Sequence, residues 1–600
     1  MTWLRQYNSL RKALLIFPAL IIFIAVFAVN PRGHKAPPET YTRPKPTKPL
    51  KPQIPSADRY QSGKVFLEEA DSLYTLPEWG ADRQILKGNV KFRQGSMFMY
   101  CDSAYYYPER NSMDAFGNVR MNQGDTLKVF ADVLYYDGDV KLARLRTRGV
   151  RKVRLQNRDV SLTTDSLDYS LMQELGWYDC GGTLADPLNI LTSQRGQYSP
   201  ATKIAEFSGN VRLENKKDGY TLENERLVYS TATRIASIDV ETRISGANDT
   251  IVTSRGEYDT KSGSADLQSR STIIHRDSAG NVVTLLGDSI IYDNLSRVSK
   301  AYTFRDPSKD QLPVVLTDTA RKAILIGGFG LYNDSTREAY AAENPILKEY
   351  SRPDTLFLRA DTIYTKIIDN PAFSPGDSIP AEFHYASAWP RARFFRQDIQ
   401  GIADTIRINQ ADSVLRMIRK PIVWNGERQV YGNMILIHLQ DTAADWARLP
   451  DYGMVAEHID EDFYNQMTGK SLFLTFDNGS LKRLEADTNV RVVFLPMEKD
   501  STYNKLVFAE SAHLTADMTG RELDKLKMWP EVSGKVAPVG DARSDIKFLP
   551  GFHWLESIRP KRFWYGDTLK WEDELGDLPD DLIEYFNNPE NLLPGRITDQ

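Results

Sequence analysis

Ala131-Asp132-Val133-Leu134-Tyr135-Tyr136 is one copy of a phrase that recurs through the first half of the chain: an acid, an aliphatic two positions later, then a tyrosine. Other copies start at Asp71, Asp102, Asp165, Glu225 and Asp288, and degenerate ones at Gln194, Arg255 and Asp318. Successive starts lie about thirty residues apart. A fixed period of this length marks stacked repeats rather than an enzyme core. In an extended chain Leu134 and Tyr136 fall on one face, Val133 and Tyr135 on the other, which is the pattern of a half-buried strand.

A second phrase follows about fifteen residues after the first: Gly88-Asn89-Val90-Lys91-Phe92, Gly117-Asn118-Val119-Arg120-Met121 and Gly209-Asn210-Val211-Arg212-Leu213. Here too the apolar residues alternate, so each repeat holds at least two extended segments. Glycine inside an extended run marks a bulge or bend, and asparagine tolerates positive φ better than most residues. A bend at that place in every repeat carries a long strand from one sheet to a facing one. The expected fold is all-β: an elongated open β-jellyroll of stacked ~30-residue repeats, with aliphatic positions between two sheets. A closed β-solenoid with a packed interior has the same periodicity, so periodicity alone leaves groove and packed core both open.

The two phrases together resemble the OstA/LptA-like family, the periplasmic lipopolysaccharide-transport domain also found at the N-terminus of LptD. The chain also resembles the large OstA-like proteins of the Bacteroidetes group. The resemblance spans about residues 65–365 and continues more loosely over 400–560, led by Ala360-Asp361-Thr362-Ile363-Tyr364, Ala403-Asp404-Thr405-Ile406 and Ala411-Asp412-Ser413-Val414. It implies a β-taco whose interior holds lipopolysaccharide or lipid A acyl chains and whose ends pair, edge strand to edge strand, with other Lpt-type jellyrolls. On that reading Val90, Phe92, Val119, Met121, Leu134, Leu167, Val211, Leu213, Leu227 and Ile290 line the lipid groove. The chain departs from the family in its length and its longer repeats, and nothing after residue 400 supplies the strand series of a membrane barrel.

Arg5, Arg11 and Lys12 precede an uncharged apolar run over 13–29, so residues 1–30 read as a signal peptide or a signal-anchor helix in the inner membrane. Residues 31–60 form a Pro-rich linker. Residues 61–365 carry the β repeats, 366–400 a connecting loop region with Pro371, Pro375 and Pro380, and 401–560 a second, more degenerate β region. Within it, Leu549-Pro550-Gly551-Phe552-His553-Trp554 looks like a closing element, and the acidic tail 561–600 reads as a short helix with a frayed end. The expected compartment is the periplasm of a Gram-negative bacterium. A formal net charge of −5 over 600 residues gives no basic field for nucleic acid.

Enzymatic motifs fail. Gly469-Lys470-Ser471 imitates the end of a phosphate loop, but Tyr464 stands where the first glycine is required. Gly327-Gly328-Phe329-Gly330 lacks the third glycine of a dinucleotide loop, and no serine occupies a Gly-x-Ser-x-Gly elbow. Cys101 and Cys180 lack zinc-ligand spacing and stand too many repeats apart for a disulfide. His458, Asp460, Glu461 and Asp462 read as a solvated loop rather than a metal site, and no cofactor is expected. The recurrent acid reads as a local side-chain to backbone bond at a strand start. Arg391, Arg393 and Arg396 with Phe394 and Phe395 make the strongest basic–aromatic cluster. The expected function is non-enzymatic lipid binding and bridging in outer-membrane assembly. Its alternatives are a structural spacer with a closed interior, and a glycan binder using exposed Tyr105, Tyr107 and Tyr135.

Overall fold

The structure, a computed structural model, describes residues 63–560 except 76–81, 125, 278–279, 305–311, 352, 375–378, 441–442, 461, 478–479, 499–500 and 521. The signal or anchor segment, the Pro-rich linker and the acidic tail lie outside the described residues. Among those described are 48 strands, antiparallel throughout.

Pairing runs in two lanes. From Ala265 onward the chain lays two strands in one lane, crosses, lays two in the other, and returns. Ser289–Asp293 and Val298–Tyr302 pair with each other and then with Phe329–Asn333. Ser271–Arg276 and Val282–Gly287 pair with each other and then with Val314–Asp318. Both lanes make hairpins along one margin, called the mouth below. Along the opposite margin, the corner, the chain crosses between lanes.

Eight longer strands run through both lanes, among them Gln84–Gln94, Met97–Tyr107, Ser112–Gln123 and Ile204–Asn215. Their ladders break register at Lys87/Val90, Phe116/Val119 and Ser208/Val211, where the Gly-Asn pairs sit. Gly88, Asn89, Gly117, Asn118, Gly209 and Asn210 all have left-handed φ between 43° and 79°. The bend expected from the second phrase is therefore a two-residue left-handed corner. Thr488-Asn489 repeats it, with φ of 64° and 56°, in the strand Ser480–Phe494.

The second half is strand-built as well, with Arg428–Gly432, Met434–Gln440, Ser471–Asp477, Ser480–Phe494 and Lys505–Thr519 among its strands. Pro371 and Pro380 lie between the strands Thr362–Asp369 and Glu382–Trp389, which pair over their whole length. The loop is thus a hairpin connection, and the ladder runs on through residues 366–400.

Two apolar rows face each other across the interior. In one lane Phe92, Met99, Met121, Val129, Leu155, Leu162, Leu184, Leu191 and Leu213 are consecutive cross-strand partners. Cross-strand apolar pairs are the unit of sheet stabilisation. Each fully buried leucine here contributes roughly 2 kcal/mol. In the facing lane a row nearer the mouth alternates tyrosine with a small residue: Tyr136, Ala143, Tyr169, Gly176, Tyr198, Ala205, Tyr229, Ala236, Tyr258 and Ala265. A Cβ on Gly176 would lie 3.2 Å from the Tyr169 ring, so the small residue leaves room for its neighbour.

Candidate functional site

All ten groove candidates face this interior and are 0–1% exposed. They belong to one continuous apolar cluster that extends past Ala516. In the first half their side chains fill the space between the sheets.

Three features of the surroundings were not legible in the sequence. The first is the partner of the recurrent acid. It does not bond its own strand start. The Asp71 carboxylate accepts a bond from Asn89 Nδ2 at 3.1 Å, and the Asp102 carboxylate one from Asn118 Nδ2 at 2.8 Å. The acid of one phrase thus caps the Gly-Asn corner of the following strand. Its carboxylate packs onto the glycine, since a Cβ on Gly117 would meet Asp102 Oδ2 at 2.5 Å. Gln194 holds the same place over Gly209, which is why a neutral residue serves there.

The second feature is a set of polar ties across the mouth. The Tyr136 hydroxyl donates to Gln94 Oε1. Asn157 Nδ2 donates to the Tyr198 hydroxyl at 3.2 Å. Tyr229 donates to Asp186 Oδ2 at 2.6 Å and accepts from Asn189 Nδ2 at 2.8 Å. Burial, followed by the nearby Asp186 carboxylate, pushes the Tyr229 hydroxyl up to about 12. Each tie joins a hairpin end of one lane to a hairpin end of the other.

The strongest tie is a buried charge cage. His275 bonds Asp249 through Nδ1 and Asp334 through Nε2. Arg297 reaches the same two carboxylates at 2.8 Å each, and Tyr292 donates to Asp249 at 3.1 Å. With Tyr332 they line a cavity of about 10 Å³, space for no more than one water. Two ionised carboxylates only accept, so both imidazole nitrogens must donate and His275 is an imidazolium. Burial works against that charge, but the bonds to Asp249 and Asp334 outweigh it and raise the group to about 9. Burial likewise acts to raise both aspartates, and His275 and Arg297 overcome it and hold them below the usual carboxylate range.

The third feature is where the tyrosines stop. Tyr106, Tyr136, Tyr169, Tyr198, Tyr229, Tyr258, Tyr292 and Tyr332 share one interior row. In the copy starting at Asp361 the tyrosine has moved forward by one residue, and Tyr364 turns to the outer face while Thr365 takes the interior place. Beyond it the row reads Ala386, Ile408, Leu415 and Ile437. Ile408, Leu415 and Ile437 are half-buried, as are Val430, Val455 and Met467 on the facing lane. Between Gln400 and Gly469, therefore, the apolar interior is partly open to solvent.

The other sequence candidates do not converge. Phe394 is buried in the interior and its neighbour Phe395 points outward, while Arg391 pairs with Asp361 at 2.7 Å and Arg396 with Asp398 at 2.6 Å. A basic–aromatic row does exist elsewhere: Lys91, Tyr100, Arg120, Phe130 and Arg154 are cross-strand partners on an outer face. The Arg120 guanidinium lies 4.5 Å over Tyr100 and that of Arg154 4.8 Å over Phe130. Tyr105 and Tyr135 share another outer row with Asp114 between them. Among the described residues no three His, Cys, Asp or Glu side chains are placed to hold a metal. Cys101 and Cys180 are both free, and burial pushes the Cys101 thiol up to about 12.

Fold and site define a stacked antiparallel β-jellyroll with an apolar interior, laced along one stretch of its mouth and half-open along another. The family model described as OstA-like protein matches residues 62–224, and that described as lipopolysaccharide-assembly, LptC-related, matches residues 181–276. Residues 62–224 are thus similar to the one family and residues 181–276 to the other, and the two matches overlap over residues 181–224 within one ladder. The second description names lipopolysaccharide assembly, and the two matches together cover residues 62–276 of the chain. No curated protein matches the sequence. Among the described residues no helix is long and apolar enough to cross a membrane.

Proposed function

We propose that the chain is a non-enzymatic lipid-handling and bridging protein of lipopolysaccharide transport, holding acyl chains in the interior of its second half. The observation that carries this reading is the half-buried aliphatic stretch Ile408, Leu415, Ile437, Val430, Val455 and Met467, continuous with the buried rows. Burying an acyl methylene there is worth about 0.8 kcal/mol, so a few chains bind without polar contacts. The ten candidates of the first half become accessible to lipid only where the sheets part at the tied mouth.

A second reading rests on those same ten residues. Their complete burial suits a rigid spacer, and the two roles divide the chain between them: a closed first half that spans distance and a half-open second half that holds lipid. At the ends the interior rows are exposed. Leu73, at one end, is 50% exposed, and Leu526 and Val536, at the other, are 38% and 66% exposed. These edges offer strand pairing to a second jellyroll.

The test is native mass spectrometry of the full chain after incubation with lipopolysaccharide. A stoichiometric adduct lost in Ile437→Asp, with the fold retained, supports the reading. An adduct untouched by Ile437→Asp and Val455→Asp, or none at all, overturns it in favour of the spacer.

A further inference from the structure

The segment Val539–Ile558 packs on the outer face of one lane, where it builds a second apolar core with Ile402, Ile422, Trp424, Tyr431, Met454 and Val493. It runs back across the strands in order. Gln466 bonds the backbone of Lys547 and Leu549, Tyr431 that of Gly551 and His553, and Gln429 that of His553 and Leu555. Arg559 then reaches Gln400 at 2.7 Å, and Pro560 is buried. From Lys547 to Arg559 this strap crosses four strand spacings, about 19 Å.

The face it is crossing does not end there. Ile422, Ile402, Arg393, Arg359, Ile346, Ile326, Val315 and Leu286 are successive cross-strand partners in one outward row. Past Gln400 the face carries the cations Arg393, Arg359 and Lys348. Next comes an apolar patch of Ile326, Ile324, Val315, Leu286 and Ile274, all half-buried. An apolar outer face on a two-layer β fold marks a covered surface.

The geometry points to residues 561–600 as its cover: the strap continues along the same outer face and lays this chain's own tail over the Ile274–Ile326 patch. Length supports this. At the pace of the described strap about twelve further residues reach the strand Ala323–Gly327, and about nine more reach Ser271–Arg276. Composition supports it too. The first stretch holds Phe563, Trp564, Tyr565, Leu569 and Trp571, the second Leu575 and Leu578, and Leu582 and Ile583 follow it. The strap then braces one wall of the trough from outside, whatever the interior binds.

Two measurements on the full chain test this. A photoreactive benzophenone amino acid placed at Ile326 is expected to crosslink to a peptide within 561–600 of the same chain. Crosslinks to another protein, to a second copy, or to none overturn the proposal. In a thermodynamic cycle, Ile326→Asp is compared in the full chain and in a chain ended after Pro560. Coupling is expected: the substitution lowers the unfolding midpoint of the full chain and leaves that of the shortened chain nearly unchanged. Equal losses in both overturn it, and if the shortened chain does not fold the crosslink decides.

Discussion

At the residue scale, the chain's most repeated device is an acid seated over a glycine. Gly117 has φ of 77° and Asp102 packed against it, whereas Gly95 has φ of 59° and nothing within 4 Å of where its Cβ would lie. Both positions charge a non-glycine residue about 1 kcal/mol for the left-handed backbone. Gly117→Ala adds a clash with a carboxylate, so its expected loss is about 2–3 kcal/mol against about 1 kcal/mol for Gly95→Ala. Denaturant unfolding measures the difference. In an Asp102→Ala background the two glycine substitutions should cost about the same; a persistent gap would show that the acid is not what crowds the corner. The tyrosines teach a parallel lesson. A shift of one residue, as at Tyr364, moves a side chain from the interior to the outer face because strands alternate with period two.

At the scale of elements, the mouth ties decide which hairpins can part. The cage of Asp249, His275, Arg297 and Asp334 joins the strands Asp249–Thr253 and Ser271–Arg276 to the loops that follow Tyr292 and Tyr332. His275 is raised from an ordinary value near 6.5 to about 9. Its contribution is therefore full below the ordinary value and is lost as pH climbs toward and through 9. The aspartates are lowered, so their contribution is lost only as pH falls below the usual carboxylate range. Thermal unfolding should weaken by on the order of 2–3 kcal/mol between pH 6.5 and 10. His275→Gln should start lower and flatten that limb; an unchanged slope would place the titrating group elsewhere. Hydrogen exchange in the hairpin between Asp293 and Val298 should rise over the same interval.

At the scale of the whole molecule, what matters is that the described ladder ends in exposed apolar edges. Glu522–Trp529 and Ser533–Pro538 are the outermost strands at one end, with Leu526, Trp529 and Val536 exposed. Exposed edges of this kind pair with other strands unless they are blunted by charge. Leu526→Lys with Val536→Lys should reduce end-to-end association of the full chain in sedimentation. Stability should stay within about 0.5 kcal/mol, because both residues are already exposed. Association that survives the pair of lysines would move the contact away from this edge.

How much could be read in advance follows from the range of each interaction. Alternation and the thirty-residue recurrence are local, so strands, corners at Gly-Asn and the inward aliphatics, Leu134 and Phe92 among them, were legible in the residues alone. The same holds for the family signature over residues 62–276. Two things were not. Asp102 and Asn118, or Tyr229 and Asp186, meet only once neighbouring strands have stacked and the two lanes have closed. Likewise Leu134 and Ile437 look alike as inward aliphatics, yet one is sealed and the other half-open. That difference is set by what faces each across the mouth. Periodicity names the face a side chain takes; burial depends on the partner opposite, and only the packed chain supplies it.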